Sequence, residues 1–295
     1  MALSPPTARQ LAHWRQLTLN TTRSFPGGSG RRLGPKTGSS IEFAEFRAYA
    51  PGDDLRQVDW NLFARSEKLF VRTFLEEQHV KLALLVDASA SMGEPRPEKL
   101  RTAVGLAAAL AYVGLVGGHV VRAAFLRDGE CEAAPPASRE AAFPGLLEFL
   151  GRRNASGATR LLAGLERFLA LDAGRALVVL LSDLLDPGAP RAIPATLVEQ
   201  GHQVQVLHIL AGSDLRAEDG GAVVLVDRET GESREVILDV ATAEEYAGAV
   251  GAHLEEWRRA ALRHGFGYRV IHAGATVDEN LLHLVGSDGL LARKG

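Results

Sequence analysis

With 295 residues, 46% apolar and 23% charged, the chain has material for one large domain with an appendage or for two modest ones. A net charge of −3 excludes a global field that would draw it to nucleic acid or anionic lipid. A single cysteine, Cys131, excludes an intrachain disulfide and a cysteine zinc site, and the scattered histidines include no H-E-x-x-H string.

The N-terminal MALSPPTARQ lacks the charged start and apolar run of a secretory signal, so the expected compartment is the cytoplasm. Residues 1–79 are turn-rich, mixed in charge and marked by short alternating runs, which predicts a small β-rich N-terminal region. Within it, GRRLGPKTG (30–38) is not a phosphate loop: Pro35 precedes Lys36 and no apolar strand leads in. Arg31, Arg32 and Lys36 read as a solvated loop. Asp53, Asp54 and Asp59 lie among Arg47, Arg56, Arg65 and Arg72, a mixture of signs that predicts ion pairs and capped turns. Trp60 and Phe63 are expected to anchor this region on the main domain.

From Val80 onward, apolar runs alternate with helical patterns over residues 80–295. LALLVD (82–87), VVRAAFL (120–126), ALVVLLSD (176–183), VQVLHIL (204–210) and YRVIHA (268–273) are predicted strands. Their near-continuous Val, Leu and Ile suit a mostly parallel sheet covered on both faces, a doubly wound α/β fold. The uncharged stretch 103–121 is about long enough to span a bilayer. Its Ala and Gly content, with Gly117-Gly118 and His119, instead predicts a buried helix, a turn and a strand, and no membrane partner. Leu161, Leu162, Leu165, Phe168 and Leu169 form one core-facing helical stripe, and Ala247, Val250, Leu254, Trp257 and Ala261 a second. Two β-rich runs around a polar turn with Gly231 predict a hairpin inserted at about 221–240. His208 and His272 fall within strand-like runs and are expected in or near the core.

The chemistry concentrates in Asp87-Ala88-Ser89-Ala90-Ser91-Met92-Gly93, directly after a buried strand. Ligands of parallel sheets bind at the carboxyl ends of strands. One carboxylate and two alternating hydroxyls offer hard oxygens suited to Mg²⁺, with Mn²⁺ or Ca²⁺ as alternatives. Three such groups cannot complete an octahedron, so other strand ends must contribute. Asp183 closes another buried strand, and Thr159, in NASGATR before a helix, supplies a third hydroxyl.

D-A-S-A-S-M resembles the D-x-S-x-S metal-ion-dependent adhesion site of von Willebrand factor A domains, which have a Rossmann-like fold. There a later Thr and Asp complete the site, matching Thr159 and Asp183 in order. The flanking residues depart from the pattern: Gly157-Ala158-Thr159 stands for Gly-Gly-Thr, and Ser182-Asp183-Leu184 for Thr-Asp-Gly. Residues 39–77 resemble the segment that marks the bacterial "domain of unknown function 58" family. The likeness rests on Glu42-Phe43, Arg47, Pro51-Gly52-Asp53-Asp54, Arg56, Asp59-Trp60, Ala64-Arg65 and Val71-Arg72, with DRETGE (227–232) further on. That resemblance implies work beside a MoxR-type AAA+ ATPase in the assembly or maturation of other proteins.

The expected function is a non-enzymatic, metal-dependent protein-binding module that accepts an acidic side chain from its partner. Two alternatives stand beside it. One is a metal-assisted hydrolase using Asp87 or Asp183 as base, for which no G-x-S-x-G elbow or placed histidine is visible. The other is nucleic-acid binding through the Arg-bearing N-terminal segment, against the sign of the net charge.

Overall fold

The computed structural model describes residues 4–20, 42–51, 58–66, 68–75, 80–93, 98–152, 154–171, 174–186, 192–215, 221–227, 230–286 and 289–294. The 30–38 loop and Asp53, Asp54 and Arg56 lie outside the described residues. The chain divides into two units, residues 1–27 with 80–295, and residues 28–79.

In chain order the helices are α1 (Ala8–Trp14), α2 (Trp60–Ser66), α3 (Glu98–Val116), α4 (Phe143–Gly151), α5 (Leu161–Leu171), α6 (Ala192–Glu199), α7 (Gly212–Leu215), α8 (Val240–His264) and α9 (Val277–His283). The strands are β1 (Leu17–Leu19), β2 (Glu42–Ala48), β3 (Phe70–Leu75), β4 (Lys81–Asp87), β5 (Val120–Arg127), β6 (Glu130–Ala133), β7 (Leu177–Ser182), β8 (Gln203–Leu210), β9 (Gly221–Val226), β10 (Ser233–Leu238), β11 (Gly267–His272) and β12 (Leu291–Arg293).

The larger unit is built on a six-stranded sheet of order β11-β8-β7-β4-β5-β6, parallel except for β6. Each central strand serves two cores, because alternate residues point to opposite faces. On β4, Leu82, Leu84 and Val86 join the core beneath α3, while Ala83 and Leu85 join the core beneath α5, α6 and α8. On β7, Leu177, Val179 and Leu181 divide from Val178 and Leu180 in the same way. This is the expected doubly wound architecture, with the inserted hairpin present as β9 and β10.

Helix α3 explains the uncharged stretch. Sixteen of its residues are buried, its small side chains let it lie against the sheet, and a Cβ at Gly114 would meet Leu82 and Val121 at 2.9 Å. Among the described residues it is the one helix long and apolar enough to cross a membrane, and 89% of that window is buried in the fold.

The boundary expected at 79/80 needs correction at its N-terminal side. Residues 4–20 belong to the α/β unit: β1 pairs antiparallel with β12, and Trp14, Leu17 and Leu19 complete the core under α3. The Trp14 indole N–H donates to Asp278 at 2.8 Å, and its ring meets Tyr112 edge-on at 6.2 Å. A three-residue strand carries too little pattern to announce a partner at the far end of the chain.

In the smaller unit β2 and β3 pair antiparallel. Asp59 starts α2, its carboxylate accepting from the Leu62 N–H at 2.9 Å, which is helix capping. Within that unit Trp60 and Phe63 are 58% and 38% exposed, and their rings meet edge-to-face.

Two further expectations are corrected. The stripe on α8 buries only its second half: Trp257 and Ala261 are in the core, Leu254 and Val250 are half-buried, and Ala247 is exposed. A 25-residue helix is about 37 Å long and outruns the strands it covers. His208 is buried as expected, but His272, at the end of edge strand β11, is exposed.

Candidate metal centre

Chain order around the sheet places the site. From β4 the chain steps to β5 on one side, and later returns through β7 on the other. The gap between the carboxyl ends of β4 and β7 is therefore the topological switch point, where open α/β sheets form a crevice. Val86 is paired with Leu181, so Asp87 and Ser182 emerge side by side there. The Ser182 hydroxyl donates to Asp87 Oδ2 at 2.5 Å, and the Ser89 N–H donates to Oδ1 at 2.9 Å. Each carboxylate oxygen so engaged keeps a lone pair.

Ser89 is buried and Ser91 half-buried, with their hydroxyl oxygens 3.1 Å apart. That is close to the separation of about 3 Å between neighbouring oxygens of an octahedron with 2.0–2.1 Å metal–oxygen bonds. The loop carrying Thr159 is laced to this one. Ser156 N–H donates to Ala88 at 2.9 Å and Ala90 N–H donates to Gly157 at 2.9 Å. Thr159 itself is 6% exposed.

A feature that the sequence reading missed fixes that second loop. Asp128 and Gly129, both with positive φ, make the two-residue turn joining β5 to β6. Asp128 then exchanges two bonds with Ala158, its carboxylate accepting at 2.7 Å and its N–H donating at 3.0 Å. Gly157 has φ +79, and a Cβ there would overlap the Asp128 carboxylate. The Asp-Gly pair between two apolar runs was the available signal.

The departure at Leu184 has a visible physical cost. Leu184 adopts φ +57, the left-handed region that favours glycine, yet it is 1% exposed and packs in the core beneath α5 and α6. Burial of the side chain offsets a backbone strain of about 1–2 kcal/mol. Its N–H donates to Ser182 Oγ at 2.9 Å, so Ser182 is oriented from behind while it donates to Asp87.

Asp183 is fully buried, and here the sequence reading omitted a partner. Lys99, in the first turn of α3 and 3% exposed, places its ammonium 2.8 Å from Asp183 Oδ2 and 3.3 Å from Asp214 Oδ2. Burial pulls the Lys99 pKa down, but the Asp183 and Asp214 carboxylates outweigh it and hold it above the ordinary lysine value. Asp183 also accepts through its carbonyl from His208, whose second ring nitrogen meets the Tyr268 hydroxyl at 2.7 Å. Burial first, then His253 and Lys99, push the His208 pKa down to about 3. A neutral imidazole with both nitrogens engaged is a structural support, not a base for the rim.

Among the described residues no lysine or arginine pairs with Asp87. Burial, and then the charge of Asp183, push its carboxyl up to about 7, against the opposing hydrogen bonds from Ser182 and Ser89. Asp87, at the end of β4, Asp183, just past β7, and the mutually bonded loops that carry Ser89, Ser91 and Thr159 thus lie at one rim. Among the described residues no three acidic, histidine or cysteine side chains gather to hold an ion, so a cation here would depend on the hydroxyls.

A doubly wound, mostly parallel α/β domain bearing an oxygen-rich rim at its switch point is the class that fold and site define. The family described as "Protein of unknown function DUF58" matches residues 45–256, and the chain belongs to it. The uncharacterized protein Rv1480 of Mycobacterium tuberculosis is 31% identical over 246 residues, covering 81% of this chain and 77% of that protein. Among solved structures, the conserved hypothetical protein BatB of Bacteroides thetaiotaomicron is similar with a TM-score of 0.41 and 14% identity, over 69% of this chain and 95% of that one. An aerotolerance-related membrane protein of Bacteroides fragilis is similar with a TM-score of 0.39 and 16% identity, over 69% and 96%.

Proposed function

We propose that this protein is a non-enzymatic binding module that takes one divalent cation, Mg²⁺ with Mn²⁺ or Ca²⁺ as substitutes, and through it an acidic side chain of a partner protein. The observation that carries the reading is Asp87: a buried carboxylate at the switch point, opposed by burial and by Asp183, with the hydroxyls of Ser89 and Ser91 close by and the loop carrying Thr159 bonded through its backbone to theirs. A cation beside such a group favours its ionised form, adding to the hydrogen bonds from Ser182 and Ser89. When bound, the ion supplies a fixed positive charge at the rim.

Asp87, Ser89, Ser91 and Thr159 would hold it, and Asp183, whose Oδ2 is taken by Lys99, would act through a bound water. Hydroxyl ligands leave the ion incompletely neutralised, which favours a partner's carboxylate in the open position. Work beside a MoxR-type AAA+ ATPase, implied by the family resemblance, belongs to the same proposal: the ATPase would act on clients or complexes that the module holds.

The test is capture from lysate by the full chain and by Asp87→Ala, each in Mg²⁺ and in EDTA, with melting curves alongside. A free metal concentration ten times Kd should stabilise the native chain by about 1.4 kcal/mol and leave Asp87→Ala unmoved. The expected result is a captured protein that requires both Mg²⁺ and Asp87. No melting shift at millimolar Mg²⁺, with identical capture by the variant, overturns the proposal.

A further inference from the structure

A lysine at the position of Lys99 is unfavourable on two counts. It is 3% exposed, which costs an ammonium its hydration, and it stands in the first turn of α3, where the partial positive charge of a helix N-terminus repels a cation. Among the described residues, both costs are met by Asp183 and Asp214, at 2.8 and 3.3 Å. The Asp214 carboxylate is itself held by the Ala211 N–H at 2.9 Å, and the Asp214 carbonyl accepts from Tyr246 at 3.0 Å. The ammonium is thus fixed from two sides, next to the one rim carboxylate that Asp87 faces as a like charge.

We infer that Lys99 is a built-in counter-cation that offsets much of the charge of Asp183, so that an ion at the rim is balanced mainly by Asp87 and takes its remaining negative charge from an anionic partner group. The inference rests on the metal-binding reading above and adds its specificity. It makes Lys99 a positioning residue that weakens the metal on its own and couples metal and acidic ligand: each binds better when the other is present. A second carboxylate free to neutralise the ion would remove that coupling, since a doubly compensated divalent cation has little electrostatic need of a third anion.

The experiment titrates Mn²⁺ alone into the full native chain and the Lys99→Met, Lys99→Gln, Lys99→Arg and Asp87→Ala variants, by calorimetry or by Mn²⁺ relaxation, then repeats it in the presence of free glutamate as the anionic probe. The expected result is Mn²⁺ bound at least tenfold more tightly by Lys99→Met and Lys99→Gln than by the native chain. Lys99→Arg should bind like native, and glutamate should strengthen Mn²⁺ binding in native and Lys99→Arg alone. Lys99→Gln, which can hydrogen-bond to both carboxylates, carries the test if the Met variant does not melt cooperatively. Unchanged or weaker Mn²⁺ binding by folded Lys99→Gln, with Asp87→Ala still abolishing it in the native background, overturns the role of Lys99 and leaves the metal site standing. Mn²⁺ binding that is indifferent to Asp87→Ala overturns both.

Discussion

Asp87→Asn removes a buried negative charge while keeping the shape of the side chain, and in the metal-free protein that change should stabilise the fold. The carboxyl stands at about 7 against an ordinary value of 3.8, for a group that is fully buried. At 1.36 kcal/mol for each tenfold change, holding it ionised costs about 4 kcal/mol. The Asn amide cannot accept both of the bonds now given by Ser182 and Ser89, which returns about 1–2 kcal/mol. The net gain at pH 8 in EDTA is about 2–3 kcal/mol, or a rise in Tm of about 5–10 °C for a unit of this size.

The pH dependence carries the same sign. Between pH 3.8 and about 7 the folded chain keeps a proton that the unfolded chain has released. Metal-free stability from this group therefore falls as pH rises through that window, and is flat above it. Asp87→Asn should lack that slope, and 10 mM Mg²⁺ should raise the unfolding free energy of the native chain only. Urea melts from pH 4 to 8, with and without Mg²⁺, measure all three effects. An Asn variant less stable than native at pH 8 in EDTA refutes the reasoning, and makes Asp87 a structural hydrogen-bond acceptor.

Two other substitutions probe the loops. Gly157→Ala should lose about 2 kcal/mol, since φ is +79 and the new Cβ meets the Asp128 carboxylate, and should weaken Mn²⁺ binding by shifting Thr159. Melting with parallel Mn²⁺ titration separates the two effects, and an unperturbed Mn²⁺ affinity would remove Thr159 from the site. Leu184→Gly relieves a left-handed backbone but deletes a core side chain, so a net loss of about 2–4 kcal/mol in a urea melt is expected. A gain would mean that strain outweighs packing at that position.

The sheet and its carboxyl rim were legible because buried parallel strands leave an unbroken signal. LALLV and ALVVLL can hardly be anything else, and a carboxylate at the end of each marks the rim. Thr159 was legible only by its place before a helix, and the Asp128–Ala158 bonds that hold its loop depend on a turn whose Asp-Gly signature was on the page. Lys99 was not legible. A lysine between Glu98 and Arg101 reads as the solvated start of a helix, and its burial follows from Asp214, more than a hundred residues later, arriving at the same rim. The second half of the α8 stripe was read well, while its first half shows that helical periodicity records amphipathicity and not what, if anything, covers it.

The pairing of β1 with β12 also sets a timetable for the newborn chain. Leu17 faces Arg293, about 270 residues further on, and at a synthesis rate of about 5–20 residues per second the first strand waits roughly 15–55 seconds for its mate. Until then Trp14, Leu17 and Leu19 have no finished face to settle on, whereas residues 28–79, an insertion in the α/β unit's sequence, carry both halves of their own hairpin. Emergence from the ribosome thus delivers the inserted unit before the host domain can close the pairing of β1 with β12.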